Sequence, residues 1–274
     1  IGAGESARFG YSRTRVEAYA GVDWERTIVW IKEMQDLVVF DRLTALEENE
    51  FQFRLLWHGV GEATQTAAGM HLEQAGADMW VQVARGPRNT LVDDSDLGAN
   101  WVGYPHAPPV VRSLSAVATV SLQRGESYLY ASAFHGSRSG DEQPWTMDFA
   151  EGVPAILLGT PSGDLGIGLG ALTMQTAEGR FSTDADVLVA DVGGLSLLGT
   201  TNAELAGDVF HRSARPACID MVEVETSSAL AAVPLATVRP ATGPTMDAPR
   251  QPVVWDISPA PAYVLVSGNH GMPG

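Results

Sequence analysis

One cysteine and one lysine are all that the chain holds of either residue, and the two scarcities exclude different things. A lone Cys218 cannot form an internal disulfide, so the fold must stand on packing. Within Ala217-Cys218-Ile219 it reads as a buried small hydrophobe. Lys32 is the one lysine among 17 basic residues, set against 33 acidic ones, and the net charge is −16. Long-range repulsion from that charge excludes nucleic acid as a partner, and it opposes an anionic polysaccharide unless a local arginine cluster offsets it. No run approaches the roughly 20 apolar residues of a membrane helix, so no membrane span is expected. No Asn-x-Ser/Thr sequence occurs, which excludes N-glycosylation of the usual kind. Helical periodicity, heptads, repeats and low-complexity tracts are missing as well. Thr44–Glu50 is the one short helix candidate, and it reads equally as a turn.

What the chain does have suits strands. Glycine (29) and proline (16) are plentiful among 274 residues, and 45% are hydrophobic, enough for a large core. Val22–His58 carries the clearest pattern. Thr27–Lys32 and Leu37–Asp41 are rich in β-branched and aromatic residues. In Phe51–His58 the residues Phe51, Phe53, Leu55 and Trp57 alternate with Gln52, Arg54, Leu56 and His58. The three segments are expected to form an antiparallel meander with one buried face. Further strand signals recur about every 8–12 residues, the spacing of an all-β sandwich. Two long connections interrupt them, Gly59–Gly69 and Gly86–Pro109, and loops of the second length tend to be functional. The expected organisation is an antiparallel β-sandwich over 1–220 and a smaller β-appendage over 221–274. The appendage includes an irregular Ala-, Pro- and Thr-rich stretch at 226–252.

The central stretch carries a resemblance. Arg26-Thr27-Ile28-Val29-Trp30, Val38-Val39-Phe40-Asp41-Arg42 and Trp57-His58 resemble the opening of the C-terminal β-sandwich of the heparinase II/III-like polysaccharide lyases, which include oligo-alginate lyases. A weaker likeness follows at Phe181-Ser182-Thr183-Asp184-Ala185-Asp186, Leu198-Gly199-Thr200-Thr201 and Phe210-His211-Arg212-Ser213. The resemblance covers roughly residues 11–220 and implies the fold more than the chemistry. Those lyases place a helical toroid before the sandwich, and nothing in this sequence could form one. The chain opens on Ile1, so the expectation is a processed product or a piece of a longer polypeptide.

The resemblance also implies a zinc ion held in the sandwich by two histidines and an aspartate. Asp41 matches the aspartate and His58 the second histidine, but Trp24 stands where the first would fall, so the site is incomplete. Read as residues alone, Asp41 is a strand-end carboxylate that pairs with Arg42 or Arg26 or caps the following turn. His58 is a partly buried imidazole satisfied by a backbone carbonyl, and Trp57 is core. Asp93-Asp94-Ser95-Asp96 is a candidate calcium loop without the glycine and distal glutamate of an EF-hand, and reads equally as a solvated acidic loop. Asp184 and Asp186 form a weaker cation candidate. Gly166-Ile167-Gly168-Leu169-Gly170 is read as a glycine-rich strand, since neither a helix nor a lysine follows it.

For proton abstraction from a uronic acid, the His/Tyr groupings are His106 with Tyr104 and His135 with Tyr128 and Tyr130. In the family most of the catalytic groups come from the toroid, so this chain alone is not expected to be catalytic. Loop aromatics are candidates for stacking on sugar or anchoring an interface: Trp101 and Tyr104 beside His106 as the ligand-binding group, with Trp145 and Trp255. Two functions of different class follow. One is a secreted polysaccharide-associated module, extracellular or periplasmic, that binds or positions an acidic glycan, with neutral polysaccharide as a further partner. The other is a structural subunit of a fibre or surface layer. It would assemble by self-association or with further domains, through sheet edges and the glycine-rich ends IGAGES and GNHGMPG.

Overall fold

The computed structural model describes residues 2–74, 76–84, 88–94, 111–138, 145–150, 154–160, 163–176, 179–191, 194–222, 253–255 and 261–262. Among them the regular structure is all β-strand and almost wholly antiparallel. No helix among the described residues is long and apolar enough to cross a membrane, which says nothing about a β-barrel. The chain divides into two units. One comprises Ile1–Arg15, Glu25–Met34 and Trp145–Tyr263; the other comprises Val16–Trp24, Gln35–Pro144 and Val264–Gly274.

The second unit is a two-sheet sandwich. Its strands are β4 (Asp36–Ala45), β5 (Asn49–Val60), β6 (Glu62–Gln65), β7 (Gly69–Gln74), β8 (Ala77–Val83), β9 (Arg88–Asp94), β10 (Val111–Leu122) and β11 (Ser127–Arg138). Neighbours run β4-β11-β8-β7-β6 in one sheet and β5-β10-β9 in the other. Alternation decides which face each strand buries. Leu43 and Ala45 of β4, Met70 and Leu72 of β7, and Val81 and Val83 of β8 meet Phe51 and Leu55 of β5 and Leu114 and Ala116 of β10. Leu55 and Leu114 are fully buried, each worth about 1.5–3 kcal/mol of apolar burial.

The expected meander therefore breaks at its third strand. β5 leaves β4 and pairs with β10 from Asn49↔Leu122 to Val60↔Val111. Crossing to the opposite sheet lets its apolar face close over that of β4, which pairing beside β4 would not. Thr44–Glu50 is not helical: Thr44 and Ala45 close β4, and Asn49 and Glu50 open β5. The span 59–69 also holds β6.

β1 (Gly2–Glu5) belongs to the first unit and pairs with β2 (Phe9–Tyr19), next to β3 (Val22–Ile31); residues 9–15 of β2 and 25–31 of β3 belong to the first unit, and the ends that meet at their turn to the second. A ten-stranded sheet is built from β12 (Thr146–Ala150), β13 (Ala155–Thr160), β14 (Gly163–Leu169), β15 (Leu172–Thr176), β16 (Gly179–Thr183), β17 (Val187–Asp191), β18 (Gly194–Leu205), β19 (Asp208–Val222), β20 (Val253–Trp255) and β21 (Pro261–Ala262). Phe181, Leu188, Leu197 and Ala203 form its core cluster. Two hairpins share one turn chemistry. Ala20-Gly21 (φ 50° and 87°) joins β2 to β3, and Ala206-Gly207 (φ 55° and 93°) joins β18 to β19. Two successive positive φ values are the type I′ pattern that matches strand twist. The glycine-rich segment ending at Gly170 is a strand as expected, with Leu165–Leu169 buried. Most of the span 221–274 lies outside the described residues.

Candidate functional site

The residues matched to a zinc site do not come together. Asp41 lies on β4, is 1% exposed, and accepts a 2.6 Å hydrogen bond from the indole Nε1 of Trp24. Trp24, standing in the histidine position, thus supplies a donor to the carboxylate and no lone pair to a metal. His58 lies on β5 in the other sheet, exposed, with Nδ1 2.7 Å from Ser113 Oγ. Its expected carbonyl partner is replaced by a hydroxyl across the β5–β10 ladder. Trp57, its neighbour, packs on the core, edge-on to Phe134 at 4.7 Å, and donates to Ser132 Oγ at 2.9 Å. Among the described residues no three His, Cys, Asp or Glu side chains converge as a metal ion requires. Trp101, Tyr104 and His106 lie outside the described residues, as do Ser95, Asp96 and the side chains of Asp93, Asp94 and Trp255. Trp145 is 2% exposed, so it is a core residue and not a loop platform.

The weaker motif does assemble, within the first unit. Asp184 accepts from Thr201 N (2.8 Å), Asn202 N (2.8 Å), Thr200 Oγ1 (2.8 Å) and Thr201 Oγ1. Burial works to raise its pKa, but these donors outweigh it and hold the carboxyl below the usual aspartate range. Asp186 accepts from Tyr11 Oη (2.9 Å) and Arg13 Nη1 (2.6 Å). Burial, then that bond to Asp186, pushes the Tyr11 phenol above its ordinary range. Both carboxylates are thus taken up by the protein's own donors. Gly199 sits at φ +74°, where a Cβ would strike Tyr11 Oη and lie 2.7 Å from Asp186 Oδ2. A Cβ at Gly4 would lie 2.6 Å from Cys218 Sγ, so β1 passes directly over a thiol that is only half-buried. Burial pushes that thiol up; a backbone N–H from Gly199 works the other way.

A third grouping carries more open chemistry. On the second unit's larger sheet, Trp80 of β8 is the register partner of His71 on β7 and of His135 on β11. The His71 and Trp80 rings stack at 4.0 Å and 12°. His71 Nε2 is 3.3 Å from Asp78 Oδ1, and Nδ1 is 3.6 Å from Glu73 Oε1. His135 Nδ1 is 2.8 Å from Asp36 Oδ2, and Gly136 N donates to Asp36 Oδ1 at 3.1 Å. Burial pushes the Asp36 carboxyl above its usual range, partly offset by His135 and Gly136. The row Asp36–His135–Trp80–His71–Asp78 is thus two imidazoles, each about one-fifth exposed, flanking an indole; His135 is held by Asp36, and His71 by its stack on Trp80, with its Nε2 buried outside hydrogen-bond geometry. Tyr128 and Tyr130 do not belong to it. They alternate to the core side of β11, where Tyr130 is 1% exposed and its hydroxyl donates to Ala116 O at 3.2 Å.

Of this row the sequence alone points only to His135. The remainder was hidden because face assignment does not say which strands are neighbours. One signal was available: Gly76, at φ +83°, marks a tight β7–β8 turn that sets His71 opposite Trp80.

No family model matches the chain, and no curated protein does. Among solved structures it is similar to heparan sulfate lyase HepC from Pedobacter heparinus (11% identity, TM-score 0.43) over 60% of this chain and 26% of that one. A heparinase III is similar at 10% identity and a TM-score of 0.44, over 59% of this chain and 26% of the other. A mutant of HepC matches over 75% of this chain and 27% of its own, at 10% identity and a TM-score of 0.42. The chain spans about a quarter of the length of these lyases.

Proposed function

We propose that this chain is a polysaccharide-associated β-sandwich module, extracellular or periplasmic, that binds or positions an acidic glycan and does not cleave it alone. The observation that carries the reading is the row Asp36–His135–Trp80–His71–Asp78 on one face of a rigid sheet. The partly exposed indole of Trp80 offers apolar contact to a sugar ring, with the imidazoles and their carboxylates as polar groups beside it. The sequence resemblance to the lyase sandwich supports the same class of ligand. Asp36, Glu73 and Asp78 stand against the imidazoles, and these carboxylates oppose the approach of an anionic sugar except where the polar atoms of the row engage it.

Affinity electrophoresis in gels containing alginate, heparan sulfate or neutral xylan tests this. Retention by an acidic glycan is expected, and W80A and H135A should weaken it. Equal mobility in all gels overturns the reading. Incubation with either acidic glycan should yield no ultraviolet absorbance of an unsaturated uronate.

A second reading, a building block of a fibre or surface layer, draws on β1. It ends the strand order of its sheet, with β2 its one strand neighbour among the described residues. Sedimentation showing concentration-dependent assembly that is lost on deleting residues 1–5 would favour it.

A further inference from the structure

We propose that Trp30, Glu5 and Lys32 form a platform for a neutral pyranose ring, a site in the first unit distinct from the imidazole row. The inference rests on the reading of the chain as a glycan-binding module. Alternation along β3 turns Val29 (0% exposed) and Ile31 (3%) inward and leaves Trp30 38% exposed. An indole on a strand normally stands among its cross-strand neighbours, but here the neighbour is Gly10. A Cβ at Gly10 would lie 3.5 Å from Trp30 Cε3 and 3.8 Å from Glu5 Cβ. The missing side chain lets the indole lean over the backbone of β2 towards β1, where Glu5 is the register partner of Gly10.

Lys32 completes one rim. Its Nζ is 5.5 Å from the indole centroid, 2.7 Å from Glu5 Oε2 and 2.6 Å from Ser6 O. The hydrogen bond from Lys32, then its charge, holds the Glu5 carboxyl below its ordinary range, so Glu5 stays an ionised acceptor. The rim is therefore an acceptor beside a donor, with no net charge. Neighbouring hydroxyls of a sugar can donate to Glu5 and accept from Lys32 while the C–H face of the ring covers the indole. A uronate carboxylate in the same place would meet the charge of Glu5. The chemistry thus selects a neutral hexose or pentose, the opposite preference to the imidazole row.

Calorimetric titration with xylohexaose and with an alginate hexasaccharide tests the assignment on wild type, W30A, W30F, E5Q and W80A. Trp30 is a surface residue, so W30A should keep the wild-type melting temperature; W30F retains a smaller ring should it not. W30A is expected to weaken xylohexaose binding about five- to tenfold, W30F less, and E5Q severalfold. None of these should alter binding of the alginate hexasaccharide, which W80A should weaken. Xylohexaose affinity unchanged in W30A and E5Q overturns the platform and leaves the glycan-binding function standing. Wild type that binds alginate but not xylohexaose does the same. Wild type that binds neither overturns both.

Discussion

Trp24 and Asp41 hold each other inside the second unit: the indole donates to the carboxylate at 2.6 Å, with both residues under 8% exposed. W24F removes that donor from a buried carboxylate. A hydrogen bond to a charged group contributes about 1.5–3 kcal/mol, and urea denaturation should show a loss of that size. With the Trp24 indole donating to Asp41, neither EDTA nor added zinc is expected to shift the wild-type melting temperature. A zinc-dependent rise would support the metal reading of Asp41.

Asp184 should behave as the anchor of the β16–β18 corner. D184N keeps the shape but discards a carboxylate that accepts four hydrogen bonds, and a loss of at least about 2 kcal/mol is expected. Asp220 is held low in a similar way. Burial opposes the shift, but the hydroxyls of Ser196 and Ser6 and the N–H groups of Arg8 and Ala7 outweigh it. A carboxyl lowered by folding stabilises above the ordinary value of 3.8, and that contribution disappears as pH falls through the folded value. Wild type should therefore lose stability below about pH 4, with a shallower acid slope in D184N.

Asp36 carries the opposite sign. Its carboxyl is raised by burial, so the linked stability is greatest below 3.8 and is lost as pH rises through the folded value. Carboxyl carbon NMR should show Asp36 titrating above 3.8 and Asp184 below it. Coincident titrations would contradict both environments.

Gly199 should tolerate no side chain. G199A places a Cβ at positive φ against Tyr11 and Asp186, and a destabilisation of about 1–3 kcal/mol is expected from strain and overpacking. Y11F removes the hydroxyl that the Cβ strikes. The double variant G199A/Y11F should therefore be more stable than the sum of the two single losses, as a double-mutant cycle would read.

How much of this was legible in the sequence depends on distance along the chain. Alternation in Phe51–His58 foretold that Phe51 and Leu55 face the core and that His58 faces out, because a strand's period is local. Nothing local says that β5 crosses to another sheet, so the meander expectation failed there. Asp184 meets Thr200 only 16 residues later, and both lie in the segments that carry the weaker likeness. Asp36 and His135, 99 residues apart, could not be paired without the β4–β11 register. In the sequence Trp24 stands only where a histidine would fall; that its indole serves a buried carboxylate is visible once β3 and β4 are placed.

The β4–β11 pairing also sets a timetable. Thr44 must wait for Ser127, and Asn49 for Leu122, before either ladder of the second unit can close. Loop closure over such spans is slow, and all-β domains of high contact order fold in about milliseconds to seconds. On a ribosome adding about 5–20 residues per second, β4 and β5 emerge several seconds before their partners exist. Their apolar faces, Val38–Phe40 and Phe51–Leu55, are exposed for that whole interval. Yield in a cell should therefore respond to holdase chaperones more than to any change that strengthens the finished fold.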